Sequence, residues 1–249
     1  ADFVVLHHAM QEDGDDGNED TDPATPHLRA LDAINPADYS FKEALEAGVT
    51  AVVTGPGSAN PVAGQMVAIK TYGKRVDDMV IKAPMAMKFA LGENPKNTYH
   101  SKDETPSTRM ATAAIIREQL KKAQRYQRDI LAAEEDEETD EPEIDVKSEA
   151  LAEVVEGNIQ SHFHAHRSDD IFTAIRLAKE YDLDLVLIHC TEGHLNAEKL
   201  AAEKAKAVVG PLICTRTKPE LSNERDENAA ILKKAGVEVA ICTDHPENP

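Results

Sequence analysis

The chain is poor in cysteine and in aromatic residues. It has no tryptophan, and 4% of its 249 residues are aromatic, which leaves few stacking surfaces to point to a ligand. Its three cysteines, Cys190, Cys214 and Cys242, are odd in number and include no Cys-x-x-Cys pair. This usage argues against a disulfide framework and favours a reducing, cytoplasmic compartment.

Long apolar runs and positive charge are also scarce. No stretch is long and apolar enough to span a bilayer, and the N-terminus lacks the charged and apolar regions of a secretory signal. The chain has 27 Lys and Arg against 46 Asp and Glu, a formal net charge of -19. A balance of this sign argues against nucleic acid or an anionic membrane surface as a partner.

Much of the acidity is local. Residues 134–145 are almost wholly acidic and include Pro142, and a second acidic run lies between Glu12 and Asp22. Such runs are typical of solvated faces or flexible connectors, although adaptation to a salty environment would also favour them. The length and a 41% hydrophobic content suit one α/β domain with a sizeable core. We therefore expect a single domain over residues 1–249, with the 134–145 segment on its surface.

Three histidines occupy alternate positions, His162, His164 and His166. In an extended strand all three imidazoles fall on one face. The following Ser168-Asp169-Asp170 is typical of a helix N-cap, so these histidines lie where a strand ends and a helix begins. The carboxyl ends of parallel strands are where α/β folds place their chemistry, and imidazole is the commonest metal ligand. The alternative is that one or two of these histidines are merely satisfied polar groups at a strand end.

Later segments repeat this arrangement. The apolar run 183–188 leads into His189 and His194, and the run 237–242 leads into Asp244 and His245. A further strand is predicted at 208–211, and helical patterns separate these runs. Alternation of strands and helices predicts a parallel sheet, and eight such units would close a barrel.

The N-terminal half offers two more candidate features. Residues 85–91 form a strand pattern that contains Lys88, a charge among apolar neighbours, and Glu93 follows just after it. A lysine in such a place can act as a nucleophile or accept carbon dioxide as a carbamate, and the alternative is an outward lysine on a sheet edge. The Gly55-Pro56-Gly57 loop after the strand at 49–54 could hold an anion through its amides, or need glycine only for its backbone angles.

Five segments carry a resemblance to a known family. They lie at residues 48–60, 87–96, 164–171, 189–194 and 241–246, and they include His-Ala-His-Arg, His-Cys-Thr-Glu-Gly-His and Thr-Asp-His-Pro. In these segments the chain resembles the amidohydrolase superfamily, and within it the branch related to imidazolonepropionase. The resemblance implies a distorted (β/α)8 TIM-like barrel with one or two divalent metals, most often zinc, at the carboxyl ends of its strands.

The resemblance also implies roles for particular residues. It assigns metal binding to His164 and His189, and both metal binding and proton transfer to Asp244. Either Lys88, carboxylated, or Glu93 would bridge two metals. His194 would stabilise an oxyanion, while His166 and His245 would support the ligands or contact the substrate. Neutral imidazoles and carboxylates are the ligand types that zinc takes, and zinc lowers the pKa of bound water.

The chain departs from the family pattern at its first strand. Family members carry His-x-His there, whereas this sequence has His7-His8 followed by Ala9. The family's β-sandwich and C-terminal elements have no counterpart, so we expect an incomplete barrel and a fragment. The preferred hypothesis is a metal-dependent hydrolase of carbon–nitrogen bonds in small-molecule amides. The alternative is an inactive barrel that binds metal or a partner, and a phosphate-binding barrel is weaker because no basic cluster accompanies the Gly-Pro-Gly loop.

Overall fold

A computed structural model describes residues 16–136, 138–212, 216 and 218–244. The predictions for the first strand at 3–6 and for His7, His8, Cys214 and His245 lie outside the described residues. None of the helices in the described ranges has both the length and the apolar character needed to cross a membrane.

Seven strands form one sheet in which each strand lies beside the next along the chain. The strands are β1 (Ala51–Thr54), β2 (Val62–Lys70), β3 (Val80–Ala90), β4 (Gln160–Ala165), β5 (Leu185–His189), β6 (Lys206–Val209) and β7 (Glu238–Ile241). Strands β3 to β7 pair in parallel. The prediction of a parallel sheet is therefore right for these strands. It is wrong for β1 and β2, because β1 pairs antiparallel with β2, and β2 pairs antiparallel with β3.

The antiparallel part follows from the short connection between β2 and β3. Only residues 71–79 separate these strands, and a parallel crossover needs a dozen or more residues. The sequence of residues 65–81, with a turn at Tyr72-Gly73-Lys74, suits either a small strand pair or one strand with an excursion, and the structure contains the pair. Within the described residues β7 pairs with β6 and not with β1, so the sheet stays open. The architecture is an α/β half-barrel consistent with an incomplete TIM-like barrel.

Helices connect the parallel strands and cover their outer face. The helices are α1 (Tyr39–Glu46), α2 (Val76–Met79), α3 (Glu93–His100), α4 (Arg109–Glu135), α5 (Val146–Val155), α6 (Ser168–Tyr181), α7 (Ala197–Ala202) and α8 (Asn228–Ala235). The side chains of Asp38, Thr108 and Asp145 accept hydrogen bonds from backbone amides at the starts of α1, α4 and α5. The acidic segment connects α4 to α5, and most of its described residues are exposed.

The main core lies between the parallel strands and these helices. The rings of Phe89 on β3 and Phe163 on β4 stack with centroids 4.5 Å apart, and both are fully buried. Ile116 and Leu120 of α4 belong to the same buried cluster. Burial of such side chains contributes about 1.5–3 kcal/mol each, so the strands that carry the histidines are well anchored.

Gly210, just after β6, offers a test of how tightly the strand ends pack. Its φ is +144°, and an added Cβ would lie 2.0 Å from the carbonyl oxygen of Cys242. We expect Gly210→Ala to lower the free energy of unfolding by about 3 kcal/mol or more, because the backbone after β7 would have to move. Gly157→Ala is the matched control, since Gly157 has a φ of +76° and no neighbouring atom within 4 Å of an added Cβ. It should cost about 1–2 kcal/mol from backbone strain alone. Urea unfolding of both variants checks this, and equal losses would contradict it.

Candidate functional site

Three buried histidines converge at the carboxyl ends of β4 and β5. One ring nitrogen from each of His164, His166 and His189 lies within 4.8 Å of the others. Each pair of ring centroids is 4.6 Å apart, and the rings of His166 and His189 are stacked. Each of the three residues is at most 5% exposed. The arrangement brings three imidazole nitrogens to one point shielded from bulk water.

The local backbone brings the His189 ring to this point. In the parallel register His189 lies opposite Ala165, so regular alternation would direct its side chain away from the face of His164. His189 instead has a φ of +69°, and Cys190 after it has a φ of +48°. Non-glycine residues seldom adopt such angles, which cost on the order of 1–3 kcal/mol and cluster at functional sites. The left-handed turn breaks the alternation and lets His189 pack against His164 and His166.

Each ring is held through its Nδ1 atom. Nδ1 of His164 lies 2.9 Å from Ser58 Oγ, Nδ1 of His166 lies 2.7 Å from Thr191 Oγ1, and Nδ1 of His189 lies 2.7 Å from the carbonyl oxygen of Gly210. Because a carbonyl can only accept, His189 donates its Nδ1 proton there and keeps a lone pair on Nε2. A partner at the second nitrogen is the usual way in which a metal-binding histidine is oriented.

The surroundings keep these imidazoles neutral. Burial lowers the pKa of His164 and of His166 well below the usual histidine range, and the neighbouring imidazoles and Lys218 lower it further. Burial also lowers the pKa of His189, although the charge of Asp244 works in the opposite direction. A neutral imidazole is the form that binds metal, so the electrostatics suit a ligand set.

Sequence reasoning missed Glu220 and Lys218. The Glu220 side chain is completely buried, and its Oε1 lies 3.6 Å from His166 Nε2 and 3.9 Å from His164 Nε2. Lys218 Nζ lies 3.0 Å from the same oxygen. Burial alone would raise the pKa of Glu220, but His166 and Lys218 outweigh burial and hold that pKa below its usual value. Lys218 and Glu220 follow β6 in a segment whose sequence has neither strand nor helix periodicity. Their position after a predicted strand is the one sequence signal that could have pointed to them.

Ser58 was also missed. It follows the Gly55-Pro56-Gly57 loop, and the loop reaches the histidines through the Ser58 hydroxyl. For this loop the sequence offered anion binding by the amides or a need for glycine backbone angles, and the contact that the structure adds is a side-chain hydrogen bond to His164.

Lys88 and Asp244 lie beside the cluster. Lys88 is 6% exposed on β3, and its charge lowers the pKa of both His164 and His189. Ala90 pairs with His164 in the parallel register, and Lys88 lies two residues before Ala90 on β3. Because side chains alternate along a strand, Lys88 lies on the same face of the sheet as His164. Asp244 is half-buried three residues after β7, and its charge acts on His189. Lys88 on β3 thus places a positive charge near the histidines, and Asp244 after β7 places a negative charge near them.

Glu93 lies on the other side of Glu220. Its backbone amide donates to Glu220 Oε2 at 3.1 Å, and it is half-buried at the start of α3. Burial and the charge of Glu220 raise the pKa of Glu93. Among the described residues, Glu93 is not part of the group of potential ligands within 4.8 Å.

Two more predicted histidines can be placed. His194 Nδ1 lies 3.1 Å from the carbonyl oxygen of Thr191, and its backbone amide donates to Asn228. His162 lies two residues before His164 on the same face of β4, and its Nε2 lies 3.5 Å from Gln160 Oε1. The row at 162, 164 and 166 thus contributes two of its three rings to the cluster, and His189 provides the third.

The residues of the cluster fit a divalent cation. Three neutral imidazoles offer ring nitrogens within 4.8 Å of one another, and the buried Glu220 Oε1, which is outside this group, lies 3.9 Å and 3.6 Å from Nε2 of His164 and His166. Nitrogen and carboxylate donors in this number match the coordination that Zn²⁺ takes in proteins.

Two known proteins that are similar to this chain are amidohydrolases by name. No protein-family model matches the chain. The chain is 27% identical over 208 residues to amidohydrolase tasK from Hapsidospora irregularis, a match that covers 75% of this chain and 21% of that protein. It is also similar to the crystal structure of an amidohydrolase from Thermotoga maritima MSB8, with a TM-score of 0.95 and 43% sequence identity. That match covers 100% of this chain and 65% of the other.

Proposed function

The chain belongs to the amidohydrolase superfamily, and we propose that its protein is a metal-dependent hydrolase of carbon–nitrogen bonds in cyclic or other non-peptide amides. The observation that carries this proposal is the convergence of His164, His166 and His189, buried and neutral, at the carboxyl ends of two parallel strands. Catalytic sites of barrel enzymes lie at this end of the strands. A small-molecule amide is the substrate class.

Zinc is the cation that the donor set favours, with one or two ions bound. Nε2 of His164, His166 and His189 would hold it, because the Nδ1 atoms of all three rings already have partners. Asp244 would add a carboxylate, and Lys88 as a carbamate or Glu93 would bridge to a second ion. A bound divalent cation supplies Lewis acidity, which lowers the pKa of water and polarises a carbonyl.

The chain's own residues would then move the protons. The Asp244 carboxylate, beside His189, would take a proton from the attacking water and deliver it to the leaving nitrogen. His194 would donate to the developing oxyanion, and His245 would orient the substrate or the ligands. Burial of the rings excludes bulk water, and this strengthens each of these interactions.

The test is metal analysis combined with hydrolysis assays. The purified protein, loaded with Zn²⁺, Co²⁺ or Mn²⁺, is expected to retain a stoichiometric cation after gel filtration and to hydrolyse a member of a panel of cyclic and acyclic amides. Chelation should abolish turnover, and added Zn²⁺ should restore it. Stoichiometric metal without turnover on any amide would instead favour a metal-binding protein that has lost catalysis, and retention of no cation would reject the proposal.

A further inference from the structure

We propose that Glu220 is an additional cation ligand at the histidine cluster, binding through Oε1, and that Lys218 neutralises this carboxylate when no cation is bound. This inference rests on the proposed metal-dependent function and identifies a ligand that the strand-end motifs do not contain. Glu220 lies in the segment between β6 and α8, within a short 3-10 helix at Pro219–Leu221.

The distances around Glu220 Oε1 favour ligation over hydrogen bonding. Oε1 lies 3.6 Å from His166 Nε2 and 3.9 Å from His164 Nε2, and both separations exceed the 2.7–3.2 Å expected for N–H···O hydrogen bonds. Two ligands bound tetrahedrally to one Zn²⁺ at about 2.0–2.2 Å lie about 3.4 Å apart. The gap between the carboxylate and the rings therefore has the size that a shared cation needs.

The carboxylate is held by contacts to its other oxygen. Oε2 accepts a hydrogen bond from the Glu93 amide at 3.1 Å. Gly92 leaves room for this contact: its φ is +86°, and an added Cβ would lie 2.8 Å from Oε2. The side chain is 0% exposed, and among the described residues Lys218 Nζ, at 3.0 Å, lies nearer to Oε1 than the imidazoles do. A completely buried carboxylate needs a partner of opposite charge, which is either this ammonium group or a cation.

Lys218 explains how the carboxylate remains charged without a cation. Its Nζ lies 3.0 Å from Glu220 Oε1 and donates to Asn94 Oδ1 at 2.9 Å. The Lys218 side chain is 25% exposed, so its ammonium group can turn towards solvent. A cation at the cluster and this ammonium group would compete for the same oxygen, which makes Lys218 a residue that limits cation affinity.

Cation binding to the whole chain tests this assignment. Zn²⁺ and Co²⁺ affinities are measured by competition with a chromophoric chelator for the parent protein, Glu220→Gln, Lys218→Met and Asp170→Asn. We expect Glu220→Gln to weaken both cations by at least about 100-fold and to change the visible spectrum of bound Co²⁺, because loss of even an indirect partner costs 10–100-fold. Lys218→Met should tighten binding by about tenfold, since it removes the competing charge.

Asp170→Asn is the matched control. Asp170 is a buried carboxylate near Gly92, but Arg109 pairs with it through both oxygens. The variant removes one negative charge from the same neighbourhood and should change affinity by less than about fivefold, with an unaltered Co²⁺ spectrum.

The outcomes separate the two proposals. Parent protein that binds neither cation would overturn the metal-dependent function and this inference together. Normal binding by the parent protein with equal affinities and spectra in Glu220→Gln would overturn the Glu220 assignment alone. If Glu220→Gln does not fold, the parent protein crystallised with Zn²⁺ decides the question. Oε1 within about 2.2 Å of the ion is expected, and an Oε1 still paired with Lys218 and away from the ion would reject the assignment.

Discussion

Replacement of His189 by alanine is expected to abolish stoichiometric Zn²⁺ binding and to lower amide hydrolysis by at least about 10³-fold. His189 provides the ring that β4 cannot supply, and its Nε2 is set by the hydrogen bond from Nδ1 to the Gly210 carbonyl. Without this imidazole the cluster loses one of the three nitrogens that lie within 4.8 Å of one another. The site would then bind a cation too weakly for it to survive gel filtration.

Two controls make the His189 result interpretable. His100→Gln alters an exposed histidine at the end of α3 and should leave both metal content and turnover unchanged. Thermal unfolding without added metal should show that His189→Ala is folded. A folded His189→Ala protein that keeps one tightly bound zinc per chain, or that retains more than about a tenth of parental turnover, would contradict the assignment of His189 as a ligand.

Acidification is expected to destabilise the metal-free protein, by about 2 kcal/mol or more between pH 6.5 and pH 5.5. Burial holds the pKa values of His164, His166 and His189 below the usual 6.5, so the folded protein keeps these rings neutral. The unfolded chain protonates the same rings below about pH 6.5. Stability is therefore highest above that pH and falls as pH decreases, by about 1 kcal/mol per neutral ring over this interval.

Carboxyl groups contribute little in the same window. The lowered pKa of Glu220 removes stability only below the ordinary glutamate range. The raised pKa values of Glu93 and Asp170, which arise mainly from burial, act in the opposite direction at the acidic end of the interval. The histidine contribution is isolated by comparison with a His166→Gln variant, which should lose about 1 kcal/mol of the pH dependence.

The measurement is urea unfolding at several pH values with EDTA present. His100→Gln serves again as a control and should keep the parental pH dependence. A free energy of unfolding that stays constant from pH 6.5 to pH 5.5 would show that the rings are not held neutral in the folded protein, and the electrostatic account of the cluster would fail.

The sequence predicted the positions of the clustered histidines better than their directions. The alternating row that contains His164 and the apolar run before His189 are each followed by a helical pattern, so their place at the carboxyl ends of parallel strands could be predicted. The direction of the His189 side chain could not be predicted, because it depends on a φ of +69° that tertiary packing imposes. Regular alternation would have placed the ring on the wrong face.

Glu220 and the sheet topology show two further reasons why sequence reasoning stopped short. Glu220 becomes part of the site because its side chain lies beside the start of α3, where the Glu93 amide donates to its carboxylate. Such a long-range contact leaves no periodic signal in the sequence. The antiparallel order of β1 and β2 depends on the short β2–β3 connection, and the sequence left that segment open between a strand pair and one interrupted strand.

The central claim is that imidazoles of β4 and β5 share one cation. X-ray absorption at the zinc edge of the Zn²⁺-loaded parent protein tests it most directly, because outer-shell scattering reports bound imidazole rings. The account predicts one tightly held zinc per chain with nitrogen and oxygen ligands at about 2.0–2.1 Å, at least two of them imidazole. Zinc that is lost on dialysis, or a first shell without imidazole, would contradict it.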